Sequence, residues 1–107
     1  MKSNFNDSEL LSLFKTFGHK LNVRINKAGN IDIVNPKSKN KNEHFVLYLT
    51  PNNRYLWRRW FSPYYCYPLN MVKRKKEFKI ENCEFNTVNE AIDYFKYYLK
   101  KYHKIEV

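Results

Sequence analysis

The residues best able to do chemistry lie together in the middle of the chain. Arg58 and Arg59 sit between Trp57 and Trp60, with Arg54 and Tyr55 just before them and Tyr64, Tyr65 and Tyr67 just after. A basic run, Lys73-Arg74-Lys75-Lys76, follows. From His44 to Lys76 there are 33 residues without a single Asp or Glu, carrying seven Lys or Arg and nine of the 19 aromatics. Cationic side chains neutralise phosphates and release counterions. Aromatic faces stack on unpaired bases. Arg also offers a planar fork that takes phosphate or carboxylate through two parallel hydrogen bonds. This combination suits RNA or an acidic protein groove. On a regular strand Arg58 and Arg59 face opposite ways, so aiming both at one partner requires a bulge.

Each feature also has an ordinary reading. Phe45, Trp60 and Phe61 are expected in the core. Tyr64, Tyr65 and Tyr67, in a Pro-bounded stretch, stand between packing and contact, because a phenol prefers a wet edge. The Lys73–Lys76 run resembles a solvated loop. Biased composition explains high Lys, Asn, Ile and Tyr. It does not explain acids that vanish from one third of the chain and return as Glu77, Glu81, Glu84, Glu90 and Asp93.

Signs of catalysis are few. The sequence has no nucleophile elbow, P-loop, dinucleotide fingerprint or zinc helix. His19 and His103 fall where a cation favours a helix C-terminus. His44 is the one histidine near the aromatic, basic stretch, and acids are absent around the arginine cluster, so no carboxylate pair offers acid–base or metal chemistry there. Cys66, Cys83, His44 and His103 match no zinc-ligand spacing, and the cysteines read as two buried thiols. A non-enzymatic protein without metal or cofactor is expected.

The elements that must hold these residues are well signalled. Asn6 and Glu9 form a capping box for a first helix, Phe5 can staple onto Leu10, and Leu10, Leu13, Phe14 and Phe17 share one side. Gly18 suits a left-handed helix end. Leu21, Val23 and Ile25, the turn Ala28-Gly29-Asn30, and Ile31 and Ile33 predict a hairpin. Residues 35–43 read as an exposed polar loop. Phe45, Leu47 and Leu49, the turn Pro51-Asn52-Asn53, and Arg54 to Phe61 predict a second hairpin. Ser62 to Asn70 reads as an irregular aromatic loop, and Phe78 and Ile80 as a last strand. Thr87 and Glu90 have capping-box form, opening a helix with Val88, Ala91, Ile92, Phe95, Leu99 and Tyr102 as its apolar stripe.

These elements predict one α+β domain over 1–107: a single antiparallel sheet of about five strands, flanked by an N-terminal and a C-terminal helix. A chain of 107 residues with 43% hydrophobic residues can bury a core unaided. Its two helices protect one face of the sheet, leaving the other solvated or free to bind. No apolar run is long enough to span a bilayer. The N-terminus lacks a signal-peptide pattern, and two cysteines without a Cys-x-x-Cys pair suit a reducing, cytoplasmic setting.

In length, in its capped helices (Asn6 to Glu9, Thr87 to Glu90), in the Gly29-Asn30 hairpin between them and in its lack of catalytic motifs, the chain resembles small phage-encoded counter-defence proteins, including anti-CRISPR proteins. With a net charge of +10 it is no mimic of duplex DNA. The resemblance implies an inhibitor that binds a guide RNA or a nuclease–RNA complex such as a CRISPR effector. The helix–sheet–helix outline also resembles small mRNA-cleaving toxins, although their Gly-Ser-His-type strand motif does not occur here. The expected function is therefore binding of RNA or a ribonucleoprotein. The alternatives are a protein–protein inhibitor that docks in an acidic groove, and a metal-independent RNase using His44.

Overall fold

A computed structural model describes residues 2–61, 65–69 and 84–107, and of residues 65–68 the backbone alone. The order is α1 (Asp7–Phe17), β1 (Asn22–Ile25), β2 (Ile31–Val34), β3 (Glu43–Leu49), β4 (Tyr55–Phe61), β5 (Tyr65–Pro68) and α2 (Val88–His103). The strands form one antiparallel sheet in the order β1-β2-β3-β4-β5. This is the α+β architecture read from the sequence. The expected strand around Phe78 and Ile80 lies outside the described residues. The fifth strand falls instead at Tyr65–Pro68, inside the stretch read as an irregular loop. Pro68 is tolerated because it ends the strand, where its missing N–H interrupts no ladder.

Local chemistry explains the elements. The Asn6 side chain accepts from Glu9 N at 2.8 Å while Glu9 Oε1 accepts from Asn6 N at 3.0 Å, which closes the capping box on α1. Gly18 ends that helix in the right-handed region at φ −67°, not in the left-handed one expected. At the first hairpin, Asn26 Oδ1 accepts from the backbone N–H of Ala28 and Asn30. Gly29 there has φ +84°, a conformation costly for any residue with a Cβ. At α2 only half of the capping box forms. Thr87 Oγ1 accepts from Glu90 N, but the Glu90 carboxylate turns to Asn86 N.

The core lies between the helices and one sheet face. Leu13 and Phe17 of α1 and Ala91, Ile92, Phe95 and Leu99 of α2 pack on Ile31, Ile33, Phe45, Leu47 and Trp57. Tyr98 is buried with them, whereas Phe14 and Tyr102, expected on the apolar stripes, are exposed. The rest of each expected stripe packs in or against the core. Trp57 stacks on Phe95 at 4.2 Å and donates from Nε1 to Ala91 O at 2.8 Å, fixing α2 over β4. Among the described residues no helix covers the opposite face, and no helix is long and apolar enough to cross a membrane.

Candidate functional site: the helix-free face of the sheet

The β3–β4 register decides which predicted site residues can act together. It runs unbroken from Glu43↔Phe61 to Leu49↔Tyr55, with no bulge. Arg58 and Arg59 are therefore on opposite faces, and the expectation that both engage one partner is corrected. Arg59 faces the helices. Its Nε donates to Glu43 Oε2 at 2.9 Å, Nη2 bonds the same oxygen, and the guanidinium lies 4.5 Å over the Phe61 ring. Glu43 is 5% exposed, although the sequence reading put it at the end of an exposed loop. The arginine that balances it explains its burial.

Three other candidates are also held inside the structure. Trp57 is 0% exposed and belongs to the core, which corrects its assignment to a binding surface. Tyr55 donates its hydroxyl to Glu9 Oε2, and that hydrogen bond, with burial and the nearby carboxylate charge, pushes the phenol up to about 12. Arg54 Nη2 donates to the Glu84 carbonyl at 3.1 Å, with Nε 3.6 Å from its carboxylate. The acid-free window is thus not acid-free in space. Glu9, Glu43 and Glu84 reach it from both ends of the sequence. Tyr65 and Tyr67 lie on β5, opposite Phe61 and Arg59, but their side chains are outside the described residues, as are Tyr64, Lys73, Arg74, Lys75 and Lys76.

The helix-free face collects a different set of residues. Arg24, Asp32, Val46 and Arg58 form one cross-strand row, and His44 stands opposite Trp60 on the neighbouring row. Asp32, 4% exposed, is the anchor. Its Oδ2 accepts from Arg24 Nε at 2.9 Å and Nη2 at 2.8 Å, and its Oδ1 is 3.0 Å from His44 Nδ1. The Arg24 side chain is nevertheless 66% exposed, leaving guanidinium donors open to solvent.

The aromatics form the other wall. Trp60 Nε1 donates to Tyr48 Oη at 2.6 Å, and the Arg58 guanidinium lies 5.8 Å over the Tyr48 ring. His44, Val46 and Tyr48 follow one another along this face of β3. Val46, between His44 and Tyr48, is 4% exposed and lines the same groove as Trp60. Trp60, expected in the core, therefore belongs to the open face. Between these walls runs an open groove of about 340 Å³, lined by Arg24, Asn26, His44, Val46, Tyr48 and Trp60.

Sequence reasoning missed Arg24, Asp32, Tyr48 and the placement of Trp60. The available signal was parity. Arg24 and Asp32 are the polar members of alternating strands, and Trp60 shares the parity of Arg58, not of Trp57. His44 was noticed, but its carboxylate partner is twelve residues away, on the next strand. His103, the other histidine considered as a zinc ligand, packs on the helix side against Phe45 with ring centroids 5.5 Å apart. The two histidines are on opposite faces and cannot share an ion. Burial pushes the His103 imidazole below its ordinary value, opposed by Glu43 and reinforced by Arg59. It stands in the last turn of α2, where the sequence reading placed it. Compared with protein-family models, curated proteins and solved structures, the chain finds no match. The functional reading therefore rests on the site.

Proposed function

We propose that this protein is a non-enzymatic binder of single-stranded RNA, which it engages through the helix-free face of its sheet. The observation that carries this reading is the groove in which Trp60 and Tyr48 stand on one side and Arg24 on the other, with Arg58 over Tyr48. Stacking platforms beside phosphate-binding cations are what an unpaired strand requires. The net charge of +10 has the right sign. Lys37, Lys39 and Lys41 add to it. They are exposed in the loop between β2 and β3, at the end of the sheet where His44 and Trp60 stand. In that loop Asn35, Ser38 and Asn40 bond the backbone and leave the lysines outward. The proposal extends to RNA held as a guide within a nuclease complex, where the counter-defence resemblance would make the protein an inhibitor.

The test is binding of a fluorescent single-stranded RNA across a salt series. The expected result is a linear fall of log affinity with log salt, with a slope of several neutralised phosphates and weaker binding to duplex DNA. A flat salt response, or no binding at low salt, refutes the reading and favours a protein partner.

A further inference from the structure

Resting on that reading, we propose that the groove seats one ribonucleotide of the bound strand and distinguishes ribose from deoxyribose through His44 Nε2. The argument starts at Asp32. Its carboxylate is almost completely buried and holds the Arg24 fork, and an ionised carboxylate only accepts hydrogen bonds. The His44 nitrogen facing it, Nδ1 at 3.0 Å, must therefore carry the proton. In the neutral ring this leaves Nε2 as a lone-pair acceptor, and His44 is one of the residues lining the groove.

An acceptor at this position selects for a donor. Phosphate oxygens only accept, so they are matched to the outward donors of Arg24, which Asp32 holds in place before any ligand arrives. The indole N–H of Trp60 is already bonded to Tyr48, so what Trp60 brings to a base in this groove is its ring and not its donor. Nε2 then calls for a donor close to a phosphate and a base. The ribose 2′-hydroxyl has that position and is the group DNA lacks.

The experiment compares three single strands of one base sequence by fluorescence anisotropy at fixed low salt: oligouridylate, its 2′-deoxy counterpart and its 2′-O-methyl counterpart. The intact protein should prefer the ribose strand by about fivefold over both others, as one neutral hydrogen bond provides. His44→Phe should abolish that preference; because it also removes the Nδ1–H donor to Asp32, the ratio of ribose to deoxyribose affinity, not the absolute affinity, is the readout. His44→Gln keeps an acceptor oxygen and should recover part of the preference; its thermal midpoint, with that of His44→Phe, verifies folding. Equal binding of ribose and deoxyribose strands by the intact protein overturns the proposal, as does a preference that survives in folded His44→Phe. Salt-dependent binding without a ribose preference overturns this inference alone. Absence of salt-dependent binding to any strand overturns the RNA reading with it.

Discussion

Replacing Arg59 with alanine should damage the fold, whereas replacing its neighbour Arg58 should damage binding. Arg59 is the counter-ion of Glu43, a carboxylate 5% exposed, and makes two hydrogen bonds to one of its oxygens. Deleting the guanidinium leaves a buried charge unpaired, which typically costs about 3–5 kcal/mol. It also removes the cation from the Phe61 ring, 4.5 Å away, worth about 0.5–1 kcal/mol at a partly exposed site. Glu43 can recover part of this by protonating or by drawing in water, so a net loss of about 3 kcal/mol is expected. For a domain of this size that lowers the melting temperature by roughly 15 °C. Calorimetry or thermal circular dichroism measures it, and a double-mutant cycle with Glu43→Gln should show the two changes to be far from additive. Arg58→Ala, on the open face, should weaken RNA binding by about 1.5–3 kcal/mol, the worth of a charge-assisted contact. A stable Arg59→Ala variant that has lost RNA binding would refute this division of labour.

Two pH-dependent effects follow from the same structure. Tyr55, pushed up to about 12 from an ordinary 10.0, contributes stability that is complete below pH 10 and is lost as pH rises toward 12. Phenolate absorbance should show a late-titrating component that disappears in Tyr55→Phe and moves back toward 10 in Glu9→Gln. His103, pushed down by burial, contributes the opposite dependence, because the unfolded chain binds its proton first. Stability should fall as pH drops below about 6.5, and His103→Phe, which keeps the ring contact with Phe45, should flatten that acid limb.

The sequence revealed most where one element sets its own structure. Asn6 and Glu9 cap α1 using only residues of that turn, and the alternation of Ile31 and Ile33, or Phe45 and Leu47, needs only the period of a strand. Legibility failed where a residue's role depends on a distant partner. Tyr65–Pro68 is too short and too proline-rich to announce a strand, and it is one because β4 offers a free edge. Trp57 and Trp60 look alike in the chain. Their parity differs, so one fills the core under α2 and the other lines the groove on the open face.

The charge pattern misled for the same reason, and its correction sharpens how the site works. An acid-free window suggests a surface of uncompensated arginines. Folding instead brings Glu43 to Arg59 and Glu84 to Arg54, converting two of them into structural ion pairs. On the open face, a buried aspartate fixes Arg24, which costs net charge but removes rotamer entropy that a free arginine would lose on binding. In the proposed RNA complex, attraction at a distance would fall to the loop lysines, Lys37, Lys39 and Lys41, and short-range recognition to groups already held in position. The two roles make opposite demands on a side chain. Steering needs exposed charge and tolerates mobility, so it is sensitive to salt. Recognition needs geometry, and the Arg24–Asp32–His44 chain supplies it by using one carboxylate to orient a donor and an acceptor together.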